Sequence, residues 1–273
     1  MLKNYFKTAF RNLVRNPVVS FITIFGFSLG LSFTILLAIF ISNELSYDQF
    51  HSNKKTLYRI TGIGTDDKGN VFKSGNTKAI IAPLFTGEIA AIKKSCRIDG
   101  STTLIKKDND VISATVTEAD SSFFDLFSFK LLQGNKATVL RSPNEAIITD
   151  ETALKIFGSL NVIGKVIEVE KGNEFIPFRI SGVVSKPSNT STIFFDLLLP
   201  LHHSAADQSP EQLESSWVNT FVLTNEKVNT NTIAEGLTKR YNNYMAKRQQ
   251  AGSLIRYTYY MQPITDMHLN EEF

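Results

Sequence analysis

The sequence predicts one membrane-spanning helix followed by an α+β domain, and three observations carry that expectation. First, the 25 residues Val18–Ser42 are mostly Phe, Ile, Leu and Val, and no charged side chain occurs between Arg15 and Glu44. Second, beyond that stretch, runs of strand length alternate with runs of helical spacing and with turn residues, without a strict βαβ rhythm. Third, 273 residues, 42% of them hydrophobic and only 20% charged, suffice for a packed core and exclude a disordered chain.

Residues 1–16 carry Lys3, Lys7, Arg11 and Arg15 and no acidic side chain. Without those four, the rest of the chain holds 25 basic against 26 acidic residues, so the body is neutral and nucleic-acid binding is not expected. The four cations recur every four positions, with Leu2, Phe6, Phe10, Leu13 and Val14 between them. That is the spacing of an amphipathic helix lying at a membrane surface.

As a helix, the apolar stretch would be about 37 Å long, beyond the roughly 30 Å of a bilayer core. The apolar region of a signal peptide is shorter, and no small-x-small cleavage site follows Ile41-Ser42-Asn43-Glu44-Leu45. A membrane span over residues 17–43 is favoured. The basic flank keeps residues 1–16 in the cytoplasm and places everything after about residue 43 outside it. Gly26 and Gly30 form a small-xxx-small pair that lets a second helix approach, a weak signal in a membrane helix.

Asn43–Lys55 is polar and reads as a stalk. Thr56–Ile63 alternates as a strand and closes in the Asp66-Asp67-Lys68-Gly69-Asn70 turn. Ile80–Lys94 has helical spacing, with Pro83 in its first turn, and Val111–Glu118 alternates again. Ser121–Gly134, dense in Phe and Leu, reads as a small helix running into a buried strand, as core rather than a ligand cage. Ala146–Thr149 reads as a strand, and Thr149 or Asp150 is placed to cap a helix Glu151–Phe157 ended by Gly158. Strands are expected at Val162–Val169, Phe175–Val184, Ile193–Leu199 and Leu254–Met261, and a helix over Thr232–Gln249.

The chemistry-bearing patterns are thin. Gly158–Lys165 has the glycines of a phosphate loop, but five residues separate them, Val166 stands where Ser or Thr must reach magnesium, and the segment joins a helix end to a strand. His202 and His203 are adjacent and would point to opposite faces of a strand, with only His51 and His268 besides, so no metal site is expected. The single cysteine, Cys96, excludes an internal disulfide. Asn189-Thr190-Ser191 matches a glycosylation acceptor, a tripeptide that arises often by chance. No catalytic residue, metal or bound cofactor is expected in this chain.

Read in order, several segments resemble the N-terminal part of MacB/FtsX-like ABC transporter permeases. They are Met1-Leu-Lys-Asn-Tyr-Phe-Lys7 with Arg11-Asn-Leu-Val-Arg-Asn-Pro17, Asn43-Glu-Leu-Ser-Tyr-Asp-Gln-Phe-His51, and Leu57-Tyr-Arg-Ile60. Ala119-Asp120, Phe123–Phe129, Gly134, Lys155–Gly158 and Ile163-Gly164-Lys165 follow, then Ile180–Val184, Pro187, Trp217 and Pro263–Leu269. The resemblance implies an extracytoplasmic domain, residues 44–273, with two lobes, the middle (roughly 112–200) forming one and the flanks the other. It also implies a non-enzymatic permease subunit of an efflux or mechanotransmission transporter in the plasma (inner) membrane. ATP would be bound and hydrolysed by a separate ABC ATPase subunit. Further implied partners are a second permease copy or homologous permease subunit, membrane lipid, and a periplasmic adaptor or substrate protein.

Two departures qualify it. The family's permeases have at least four spans where this sequence has one, which suggests a piece truncated before the later spans. Gly87–Ile92 also stands where an acidic-Phe-Pro segment is common. The alternative is a single-span, membrane-anchored extracytoplasmic binding protein without transport activity.

Overall fold

The computed structural model describes residues 2–201, 209–226, 228–248 and 255–270, without the side chains of Leu2, Lys3 and Phe85. The chain divides into two compact units, Met1–Ser46 and Tyr47–Phe273. The first is two helices, α1 (Leu2–Arg15) and α2 (Pro17–Glu44). Pro17 fills the first position of α2, where its missing N–H costs nothing, and Asn16 between the helices is non-helical at φ −127°. No residue of α2 is buried, and its mean hydropathy of 2.4 and 28-residue length suffice, by length and composition, to cross a membrane.

In the second unit, β1 (Leu57–Thr65), β2 (Val71–Ser74), β3 (Thr77–Lys78), α3 (Ile81–Phe85), β4 (Ile92–Lys107) and β5 (Asp110–Ala119) come first. α4 (Phe123–Leu126), β6 (Leu131–Gln133), β7 (Glu145–Thr149), α5 (Asp150–Phe157), β8 (Val166–Lys171) and β9 (Glu174–Val184) follow. β10 (Leu197–Pro200), α6 (Pro210–Ser215), β11 (Trp217–Thr224), α7 (Thr230–Arg248) and β12 (Arg256–Pro263) complete the set. The α+β class expected from the alternating patterns is what the chain adopts.

The strands run in the order β12-β1-β11-β4-β5-β10-β7-β9-β6, and β8 bridges β9 back to β4. That bridge closes a six-stranded barrel, β4-β5-β10-β7-β9-β8, whose seam is two residue pairs, Ile105↔Val169 and Lys106↔Glu168. β5 with β10 and β7 with β9 are parallel; the other barrel pairs are antiparallel. Side chains two residues apart point the same way, so Ala114 and Val116, Leu197 and Leu199, Ala146 and Ile148, Ile167 and Val169, and Phe178 and Ile180 form one buried cluster inside it. α5 adds Ala153 to that cluster. Its start and stop are written locally: the Thr149 hydroxyl accepts from the Thr152 amide, and Gly158 ends it at φ 64°.

β6 adds to the barrel strand β9, and the other strands form a sheet around β1, flanked by β12 and β11. One of its faces packs on α7 through Ile60, Val222, Leu237, Tyr241, Tyr257 and Tyr259. A third cluster joins Leu57, Cys96 and Phe221 of the sheet to Ile147 and Leu198 of the barrel strands, through Phe123, Phe127, Phe129 and Phe195. The Phe-rich stretch is therefore core, bonding sheet to barrel.

Several boundaries differ from expectation. The helix expected over Ile80–Lys94 is only α3 and a 3₁₀ turn at Thr86–Glu88; from Ile92 the chain is strand, because β11 and β5 both pair with it. β8 starts at Val166 rather than Val162, since Gly164 at φ 84° turns the chain first. β10 is confined to Leu197–Pro200. His202 and His203 lie outside the described residues.

A candidate coupling joint at the root of the outer domain

Tyr47–Asn53, the lead-in segment of the second unit, follows α2 in the chain. The sequence reads it as a polar stalk, yet Asp48 and His51 are fully buried. A buried carboxylate and a buried imidazole each need partners; the fold supplies them for the carboxylate and for Nδ1 of the ring, and leaves Nε2 without a hydrogen bond among the described residues.

Asp48 takes the left-handed backbone conformation at φ 55°, which Asp tolerates better than most residues. Its amide donates to the Thr190 carbonyl at 2.8 Å. Its carboxylate accepts from the Thr192 hydroxyl at 2.6 Å and the Thr192 amide at 3.1 Å. Burial raises the Asp48 pKa, and the Thr192 bonds oppose that rise without cancelling it. This first fastener ties the segment to the chain leading into β10.

His51 makes the second. Its Nδ1 accepts from the Ser128 amide at 3.1 Å, while Nε2 lies 3.8 Å from an Asp48 carboxylate oxygen. The ring sits among Phe50, Phe127 and Phe129, with centroids 4.0 to 5.5 Å away. Desolvation lowers its pKa to about 4, so the ring is neutral at pH 7. Next to it, the Ser52 amide donates to the Ser128 hydroxyl at 2.9 Å, and the Asn53 amide group donates to the Asp125 and Leu126 carbonyls at 3.2 Å. The segment is thus bonded along its length to the α4–β6 connection.

The chain comes back to the same place over residues 264–268, the return segment. Ile264 and Met267 pack into the aromatic cluster, and the His268 ring stacks on Tyr47 with centroids 3.3 Å apart. Tyr47–Asn53 and the segment from Ile264 to His268 therefore meet where the sheet and the barrel are joined.

Among the described residues, no group of three His, Cys, Asp or Glu could hold a metal. A depression of about 490 Å³ is lined by Arg97, Asp120 and Arg141, but Arg97 and Asp120 bond each other through both carboxylate oxygens. The Asp66 carboxylate is used up by its own turn, accepting from the Lys68 and Asn70 amides. Lys7, Arg11 and Arg15 are exposed on α1, and the side chain of Lys3 is outside the described set. Gly26 and Gly30 lie on α2, and a Cβ added at either would meet nothing within 4 Å. The sequence reading missed the joint, since Thr192, Ser128 and Asn53 carry no motif; the only signal was an Asp and a His in a short polar stretch.

A sequence model of the MacB-like periplasmic core domain matches residues 20–240. The chain belongs to that family. Solved structures of this MacB-like fold agree with it. A domain of a Porphyromonas gingivalis protein described as a permease superposes with a TM-score of 0.65 at 20% identity, covering 79% of this chain and 92% of that one. The periplasmic region of MacB from Actinobacillus actinomycetemcomitans gives 0.52 at 16% identity, with the same 79% and 92% coverage. The extracellular domain of the noncanonic ABC-type transporter YknZ from Gram-positive bacteria gives 0.54 at 12%, over 76% of this chain and 99% of that one. At these identities the likeness is one of fold. No protein of curated function matches the MacB-like chain in sequence.

Proposed function

We propose that this MacB-like chain is the N-terminal part of an ABC-type permease, in which an ATPase on the cytoplasmic side drives movement of the outer domain. The observation that carries the reading is the joint. A segment continuous with the apolar helix α2 is bonded into the cluster that unites sheet and barrel, so a pull on that segment loads both at once. A surface stalk of solvated residues would transmit no such load. In this reading the chain is not itself an enzyme and holds no cofactor; ATP belongs to the partner. α1 lies on the cytoplasmic face of the plasma membrane with Lys7, Arg11 and Arg15 toward lipid headgroups, and Gly26 and Gly30 face another helix of the permease.

The test is affinity purification of the full-length protein from native membranes, followed by mass spectrometry of what it retains. An ABC ATPase recovered in stoichiometric amount, and lost on washing out the membrane-embedded partners, supports the reading. Recovery of membrane-bound chain with no ATPase would overturn it in favour of an anchored binding protein.

A further inference from the structure

The two fasteners of the joint differ in how they respond to a proton. A backbone N–H can only donate, so the bond from the Ser128 amide requires a lone pair on His51 Nδ1. The ring proton must then sit on Nε2, which faces the Asp48 carboxylate at 3.8 Å. A second proton can be added only at Nδ1, where it would meet the Ser128 N–H head on. The Asp48–Thr192 fastener has no such conflict. A protonated carboxyl still has an acceptor oxygen for the Thr192 amide.

From this geometry we propose that the joint is a proton-loosened clasp: protonation of His51 at Nδ1 breaks the bond from the Ser128 amide and leaves the α4–β6 connection held to the lead-in segment through Ser52 and Asn53 alone, while the Asp48–Thr192 bond stays closed. The groups facing His51 are few. On its own segment there is Asp48; on the return segment, His268, whose charge also acts on Asp48. The α4–β6 connection presents Phe127, Ser128 and Phe129, and its Asp125 carboxylate is turned to Lys94 at 2.6 Å. The 190–192 segment presents only hydroxyls. Nothing packed against the ring would hold a second proton on Nδ1, and burial among Phe rings opposes the charge. The consequence rests on the coupling reading: acid weakens the hold of the segment following α2 on the α4–β6 connection and leaves its hold on the chain leading into β10 intact.

The experiment is hydrogen–deuterium exchange of the full chain in lipid nanodiscs at pH 7.0 and 4.5, with rates corrected for intrinsic exchange. For a ring that binds its proton at 6.5 when released and at about 4 when clasped, linkage predicts a roughly fifty-fold rise in opening at the Ser128 amide, read from overlapping peptides that end on either side of it. In His51→Asn the side-chain oxygen can occupy the Nδ1 position and accept from Ser128 but cannot be protonated, so the rise should fall below about threefold. An equal rise in both proteins, or none in the wild type, would overturn the proposal. If His51→Asn is unprotected even at pH 7.0, ¹⁵N-histidine NMR of the wild type decides. The neutral Nε2–H form sustains the clasp, and an Nδ1–H form refutes it. The exchange reads the clasp itself, whereas failure to recover an ATPase would remove the coupling reading alone.

Discussion

Replacing Asp48 by alanine tests the joint most directly. The substitution removes the acceptor of two bonds, from the Thr192 hydroxyl at 2.6 Å and the Thr192 amide at 3.1 Å. Hydrogen bonds to a charged group contribute about 1.5–3 kcal/mol each. Against that, the variant no longer buries a carboxylate, whose raised pKa shows that burial acts against the charged form. Alanine is also less tolerant of φ 55° than Asp, which adds a fraction of a kcal/mol. The net expectation is a loss of about 3 kcal/mol, or a melting point lower by about 6–12 °C for a domain of this size. Asp48→Asn keeps one acceptor oxygen and the backbone tolerance, and should lose only about 1 kcal/mol. The assay is thermal and urea unfolding of the full chain in micelles, followed by Trp217, the single tryptophan, which lies on β11 of the outer domain. The reasoning is refuted if Asp48→Ala melts within 2 °C of the wild type, or if Asn is as damaging as Ala.

Three further outcomes follow from the same structure. Because the folded state lowers the His51 pKa from 6.5 to about 4, its contribution is full above pH 6.5 and lost as pH falls toward 4, by about 1.4 kcal/mol per pH unit and about 3 kcal/mol in total. Asp48, with its raised pKa, acts with the opposite sign, contributing below pH 3.8 and losing that contribution as pH rises through its folded value; the difference in urea midpoint between wild type and His51→Asn isolates the imidazole. Gly134→Ala should cost about 2–4 kcal/mol by chemical denaturation, since φ is 104° there and a Cβ would sit 2.7 Å from the Ser181 carbonyl oxygen. Lys94→Ala, which removes an ion pair to Asp125 whose two side chains are about half exposed, should change the melting point by no more than the scatter of the assay, under about 0.5 kcal/mol.

What the sequence made legible was whatever is decided locally. The uncharged run of α2, the cap and stop of α5 at Thr149 and Gly158, and the alternation of β5 and β9 are all set by neighbours within a few residues. Distant partners decided the rest. Ile89 and Ile92 share a helical spacing, yet Ile92 opens a strand because it pairs with Thr224 of β11, more than 130 positions away. β11 itself went unrecognised, although Val218, Thr220 and Val222 alternate, because no turn signal marks its start after Ser216. The joint was the least legible part. Asp48 and His51 look like solvated stalk residues until one sees that Thr192 lies 144 positions from the first and Ser128 lies 77 from the second. Nothing in the local composition announces a buried polar group whose partners are that far along the chain.

The 16-residue strand β4 is shared by the sheet and the barrel. Its first half pairs with β11 in the sheet, and its second half pairs with β5 and β8 in the barrel. At about 3.3 Å per residue it is a beam of roughly 50 Å. A beam clamped at both ends does not rotate; it bends and twists along its length. Any change of angle between barrel and sheet would be spread across many ladder bonds, each strained a little, and would spring back when the load is removed. Sheet and barrel are thus joined through one continuous strand and not through a hinge loop.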